Sequence, residues 1–261
     1  MLLCIDIGNT NIVLGCYRGD DLVFSSRIFS ERARLKDQYA VDIVSILSLY
    51  CIDPSDINEA IISSVVPALT DPISYAVELV TGCYPMILGP GLKTGLNIKI
   101  DDPAQLGSDF VAGAVAAKSK YIPPLIIIDM GTATCVSAIA KNGDFLGCAI
   151  LPGLRVSTDA LVEHSSLLTR ISYEAPGTAI GTNTDHSLQS GVIFGAAAML
   201  DGLCARFTEE IGESARIIAT GGLAPVVIPH CKTEIIIDDM LVLEGLKIIF
   251  EKNPQKKRYP K

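Results

Sequence analysis

The chain has 261 residues, 49% of them hydrophobic and 19% charged, with a formal net charge of −8. That length suffices for one large domain or two small ones with a real core, and the acidic balance speaks against nucleic acid or an anionic membrane as the main partner. Eight cysteines without C-x-x-C or Cys/His spacing read as reduced thiols of a cytoplasmic protein. The three histidines, His164, His186 and His230, are well separated and do not suggest a metal site. No apolar stretch is read as long enough to span a membrane, and Leu2-Leu3-Cys4-Ile5 lacks the flanks of a signal peptide.

Taken in order, the chain opens with an apolar run that ends in Asp6, passes Gly8, Asn9, Thr10 and Asn11, and resumes at Ile12-Val13-Leu14. This predicts a buried strand, a tight turn and an antiparallel partner. A turn at Arg18-Gly19-Asp20-Asp21 leads to a third strand at Leu22-Val23-Phe24, and residues 30–35 are charged and exposed in character. Residues 39–50 have helical spacing, residues 61–66 read as a buried strand stopped by Pro67, and residues 72–80 suggest a second helix. Met86-Ile87-Leu88 and residues 97–100 read as short strands. Gly107-Ser108-Asp109 then precedes a small-residue helix over 110–117.

The opening plan recurs at residues 125–144: an apolar strand, Asp129, Gly131, Thr132 and Thr134, a second strand, and the turn Asn142-Gly143-Asp144. Beyond Pro152-Gly153 come an amphipathic stretch over 156–168, a loop over 177–185 and an Ala/Gly-rich helix over 187–207. Residues 217–220 form an apolar run that breaks into Gly221-Gly222, and residues 253–261 read as a solvated basic tail carrying Lys256, Lys257 and Arg258.

One Asp-x-Gly turn marks either an ordinary hairpin or a cradle for an anion beside a carboxylate. Two copies could grip the phosphates of one nucleotide from both sides of a cleft. Gly221-Gly222 fits either a strand-to-helix turn or a backbone that approaches a flat ligand. Neither the Rossmann glycine spacing nor the P-loop occurs. Asp109, near a helix start, reads from sequence alone as an N-terminal cap.

Asp6-Ile7-Gly8-Asn9-Thr10-Asn11, Asp129-Met130-Gly131-Thr132-Ala133-Thr134 and Thr220-Gly221-Gly222 together resemble the acetate/sugar kinase–Hsp70–actin superfamily. Along nearly its whole length the chain resembles the bacterial type III pantothenate kinases, with further matching stretches such as Gly89-Pro90-Gly91-Leu92, Gly181-Thr182-Asn183-Thr184 and Leu243-Glu244-Gly245-Leu246. The resemblance implies an α/β, duplicated actin-like (ribonuclease H-like) ATPase fold. Two similar domains, residues 1–114 and 115–261, would flank a nucleotide cleft.

It also implies transfer of a phosphoryl group from ATP to pantothenate, giving 4′-phosphopantothenate. Asp6, Ile7, Gly8, Asn9, Thr10, Asn11, Ile12, Val13 and Thr132 would hold ATP, with Gly221 and Gly222 at the nucleoside. Asp6 would act on Mg²⁺ through water, Asp129 would bind a monovalent cation (K⁺ or NH₄⁺), and Asp109 would be the catalytic carboxylate. Ile100, Gly107, Ser108, Asp109, Phe110 and Thr184 would meet pantothenate. A cytoplasmic homodimer without nucleic-acid or membrane partners is expected.

Two positions depart from the family pattern. Phe110 stands where a substrate-binding arginine is usual, and Ile100 where a tyrosine is usual. Losing a guanidinium removes a fixed charge and five donors that could pair with a carboxylate. The altered acceptor half leaves two alternatives to pantothenate kinase: a nucleotide-binding regulatory relative, or a kinase with a different acceptor.

Overall fold

The computed structural model describes residues 1–254, in two compact units; the basic residues Lys256, Lys257 and Arg258 lie outside the described residues. In the first unit, β1 (Leu2–Ile7), β2 (Asn11–Arg18) and β3 (Asp21–Phe29) form an antiparallel meander. It is followed by α1 (Lys36–Leu49), β4 (Glu59–Ser64), α2 (Pro67–Thr81) and β5 (Met86–Ile87). The sheet order is β3-β2-β1-β4-β5, with β1 parallel to β4 and β4 parallel to β5. A strand covered on both faces needs apolar residues at successive positions, which is why β1 reads Leu-Leu-Cys-Ile without alternation. Leu3, Ile5 and Ile7 share one core with Tyr39, Ile43 and Leu47 of α1 and with Leu69, Ile73 and Val77 of α2.

The chain continues through β6 (Asn97–Ile98) and α3 (Ser108–Lys120) to β7 (Leu125–Met130), β8 (Ala133–Ile139), β9 (Asp144–Pro152) and α4 (Leu154–Glu163). Then come α5 (Thr184–Ile211), β10 (Arg216–Thr220), α6 (Ala224–Val227), β11 (Ile236–Ile237) and α7 (Leu241–Lys252). The second sheet has the order β11-β10-β7-β8-β9-β6. Numbered from β7, its first five strands repeat the order 3-2-1-4-5 and the strand directions of the first sheet. This is a duplicated, actin-like α/β fold. On one face of the second sheet, Ile126, Ile128 and Val136 pack with Ile193, Ala197 and Leu200 of α5.

The units are not the two contiguous halves expected. The first comprises Met1–Gly95, Asp102–Ala116 and the chain from Leu241; the second comprises Leu96–Asp101 and Ala117–Met240. α7 belongs to the first unit because it covers β1 and β4 there. Leu243 lies over Gly15 of β2, and α7 approaches α3 so closely that a Cβ at Gly245 would collide with the Ala112 carbonyl oxygen. Residues 96–101 belong to the second unit because β6 pairs with β9. Lys99 N–H donates to Phe145 O at 2.8 Å, and Asn97 Nδ2 donates to Asp144 Oδ1 at 2.8 Å.

Other boundaries moved for local reasons. β3 extends to Phe29 because it stays paired along β2, well past the expected 22–24. α2 starts at Pro67, where a missing N–H is harmless, and it runs through Pro72. α1 begins at Lys36 instead of residue 39, the strand expected over 97–100 ends at Ile98, and α4 occupies 154–163 instead of 156–168. α5 begins at Thr184 because Asn183 Oδ1 accepts the His186 N–H at 2.9 Å, and it ends at Gly212 in the left-handed region. The expectation about spanning segments also changes. α5 is long and apolar enough, by length and composition alone, to cross a membrane. Ile193, Ala196, Ala197, Leu200 and Cys204 of this helix are instead buried in the core of the second unit.

Candidate active site

The first unit gathers its polar residues where β1 and β4 end, the edge at which parallel sheets receive ligands. Asp6, half-buried, is the last polar residue of β1. The Ile7–Ile12 pair closes the hairpin, and the Gly8 N–H is spent on Asn11 O at 3.0 Å, which fixes the turn. Residues just after β3 hold this loop from behind. Ser30 Oγ donates to Gly8 O at 2.6 Å, and Ser30 N–H donates to Thr10 O at 3.0 Å. Asn9 and Asn11 are exposed, Gly8 and Thr10 half-buried. Ile12 is buried in the core and paired with both Ile7 and Ile28, so it is not open to a ligand, contrary to expectation; Val13 pairs with Asp6.

From β1 the site extends across one strand. Asp6 pairs in register with Ser63, and Ile7 with Ser64. Ser63 Oγ lies 2.9 Å from Ser108 Oγ, and the Ser64 N–H donates to Ser108 Oγ at 3.0 Å. Ser108 opens α3, so Asp109 sits inside the first turn and is not the residue that caps it. Its Oδ1 accepts the Phe110 N–H at 2.8 Å. Burial pushes the Asp109 carboxyl above the ordinary carboxylate value, and the Phe110 N–H offsets part of that rise. Gly107 leaves room for this carboxylate, because a Cβ there would stand 2.5 Å from Asp109 Oδ1. Phe110 is half-buried beside it.

In the second unit, Asp129 is the half-buried counterpart of Asp6 near the end of β7. The Gly131 N–H donates to Ala133 O at 3.0 Å, the same device that shapes the first loop, and Thr132 is exposed. Two glycines brace this loop. Gly221, at φ +96°, lies against the Met130 backbone, with 2.7 Å left for a Cβ; a side chain at Gly153 would collide with the Thr132 carbonyl oxygen. Gly221 therefore has a packing reason to be glycine, whereas Gly222 is exposed. Thr184 opens α5 and lines a cavity of about 550 Å³ with Leu168, Thr182, Asn183, Ser187 and Leu188. Ile100 is half-buried just past β6.

Asp6, the loop over 8–11 and Asp109 thus collect in the first unit, while Asp129, Thr132, Gly221, Gly222, Thr184 and Ile100 lie in the second. Ser30, Ser63, Ser64 and Gly153 were given no site role from the sequence, although Ser63-Ser64 and Pro152-Gly153 lie in stretches that match the family pattern. The signals that could have found the last three are the polar pair Ser63-Ser64 at the end of an apolar strand and the Pro152-Gly153 break at the end of β9. Among the described residues no group of three His, Cys, Asp or Glu side chains is arranged to hold a metal. Single hard carboxylates such as Asp6 and Asp129 still suit cations whose other ligands are phosphate, water or backbone oxygens.

The family model for type III pantothenate kinases matches residues 2–206. A type III pantothenate kinase from Geobacter sulfurreducens is 41% identical over 253 residues, covering 97% of this chain and 99% of that protein. One from Anaeromyxobacter sp. is 39% identical over 257 residues, covering 97% and 100%. Among solved structures, a protein described as a Baf family transcriptional activator from Campylobacter jejuni shares the fold. Its TM-score is 0.61 at 20% identity, covering 97% of this chain and 98% of that one.

The raised Asp109 carboxyl has a consequence for stability. Its charged form is disfavoured by folding, so the penalty is present above the folded pKa and gone below the unfolded value of 3.8. Asp109→Asn is expected to raise Tm at pH 7, with the gain shrinking as pH falls toward 3.8. Calorimetric scans across that range test this, and an unchanged or lower Tm at pH 7 contradicts it.

Proposed function

The chain belongs to the type III pantothenate kinase family, and we propose on that premise that it transfers the γ-phosphoryl group of ATP to the primary hydroxyl of pantothenate, giving 4′-phosphopantothenate, the first step of coenzyme A synthesis. The observation that carries the reading is the placement of Asp109. A half-buried carboxylate with a raised pKa is held at the same strand end as an Asp-Ile-Gly-Asn-Thr-Asn turn.

Phosphoryl transfer needs positioning and charge neutralisation more than covalent participation by the protein. Gly8, Asn9, Thr10 and Asn11 would hold the β- and γ-phosphates, with the buried Ile7 and Ile12 shaping the turn from inside the core, and Thr132 is the expected phosphate contact on the duplicate loop. Gly221 and Gly222 attend the nucleoside. Asp109 accepts the proton of the attacking hydroxyl, a task its raised pKa favours because a base works best near the operating pH. Gly107 and Phe110 in the first unit, and Ile100 and Thr184 in the second, are the residues expected to meet the acceptor, and the cavity beside Thr184 supports the role of Thr184. Asp6 would hold Mg²⁺ and Asp129 would hold K⁺ or NH₄⁺; when bound, these ions would neutralise charge that builds on the phosphates.

A cytoplasmic homodimer completes the reading. Ile150, Val156, Leu161, Leu167 and Ile180 of the second unit are exposed apolar side chains of the kind an interface covers. Sedimentation should give about twice the chain mass of 27.7 kDa, and a monomer at micromolar concentration contradicts the dimer.

An assay with ATP, Mg²⁺, K⁺ and pantothenate is expected to yield phosphopantothenate, with a lower rate when Na⁺ replaces K⁺. Asp109→Asn should reduce the rate by about 100- to 10,000-fold while ATP affinity stays within about twofold, because the phosphate loops are untouched. Near-normal turnover by that variant removes Asp109 from the chemistry.

Phe110 favours a second reading, a kinase for a less anionic alcohol or a nucleotide-binding regulator. The missing charge-assisted contact would weaken pantothenate by about 1.5–3 kcal/mol, roughly ten- to a hundredfold. Phe110→Arg should lower the pantothenate KM and leave the ATP KM unchanged. If the wild type ignores pantothenate and Phe110→Arg combined with Ile100→Tyr does too, the second reading replaces the first.

A further inference from the structure

A serine hydroxyl can donate one hydrogen bond and accept two. All three places on Ser108 are filled from β4. Ser63 Oγ lies at 2.9 Å, the Ser64 N–H donates at 3.0 Å, and Ser108 Oγ donates to Ser64 O at 3.1 Å. With Ser108 giving its proton to Ser64 O, Ser63 is the donor of the hydroxyl pair. Ser63 is fully buried, so its hydroxyl has no water to turn to. The next residue along is secured as well. Ser64 Oγ donates to Val66 O at 3.2 Å and accepts from Thr70 Oγ1 at 2.8 Å. The strand end that receives Ser108 is therefore tied to the first turn of α2.

We propose that Ser108 is a positioning residue for the Asp109 carboxylate: its saturated hydroxyl latches the first turn of α3 onto the end of β4, beside the strand that carries Asp6. Ser108 has no hydrogen-bonding capacity left for an acceptor, so it acts through its neighbour and not by touching substrate. Gly107 completes the arrangement on the other side, leaving the space that Asp109 Oδ1 occupies. Without the latch, the bond from the Phe110 N–H would still hold the Asp109 carboxylate, but it belongs to the same helix turn, so carboxylate and helix would shift together.

This inference rests on Asp109 being the base, and the experiment separates the two. Ser108→Ala, Ser108→Thr, Ser63→Ala and Asp109→Asn are compared with wild type for kcat, both KM values and the acid limb of kcat. Ser108→Ala is expected to lower kcat about tenfold or more with the ATP KM within about twofold. Its acid limb should move to lower pH as the carboxylate gains access to water. Ser108→Thr, which keeps the hydroxyl, should recover most of kcat. Ser63→Ala, which removes one of the three bonds and leaves the helix start intact, should show a smaller drop in the same direction; it carries the test if Ser108→Ala fails to fold. An inactive Asp109→Asn beside a Ser108→Ala with wild-type kcat and acid limb overturns the latch alone. An active Asp109→Asn overturns the base assignment, and the latch with it.

Discussion

The site depends on one constraint, the parallel pairing of β1 with β4. That register sets Asp6 opposite Ser63 and Ile7 opposite Ser64, so two polar strand ends finish level with each other. Because strand residues alternate faces, slipping β4 by one position would exchange Ser63 for Ser64 and turn the hydroxyl that meets Ser108 to the wrong side. Ala60 and Ile62 of β4 share the core with α1 and α2, so such a slip is costly, since both side chains would be turned out of it. Core packing therefore determines where the proposed base stands.

The duplication shows the same plan serving two ends. Both Asp-x-Gly turns are closed by a glycine N–H, from Gly8 to Asn11 and from Gly131 to Ala133. The supports behind them differ in kind. The first loop is held by side-chain and backbone bonds from Ser30, the second by close backbone approach at Gly153 and Gly221. A loop braced by backbone contacts has less room to yield than one held by a serine hydroxyl, so the two halves need not respond alike to a bound nucleotide.

Much of this was legible in the residues. The continuous apolar runs of β1 and β7, each followed by Asp, one residue and Gly, announced both sheets and both turns. What escaped notice depended on pairing between distant segments. β3 could not be followed to Phe29 because its length is set by hydrogen bonds to β2, not by its own mixed composition. Ser30 owes its contact with Gly8 to that length. Asp109 looked like a cap, since from sequence its distance to the helix start was uncertain by a residue; Ser108 opening α3 places it inside the turn. The chain division failed at α7 for a similar reason. Nothing in Leu-Val-Leu-Glu-Gly-Leu says which sheet it covers, whereas its packing on β1 and β4 does.

The position of α7 bears on how the chain is made. β1 to β5 leave the ribosome early, yet the helix that covers β1 and β4 is synthesised only after the whole of the second unit. Through most of translation the first sheet must wait with one face uncovered, exposed to misassociation with neighbouring chains. The second unit has no such debt, since its last strand, β11, is out before α7 begins. The half that emerges second can thus be the first to complete its fold, and the arrival of α7 becomes the step that closes the other.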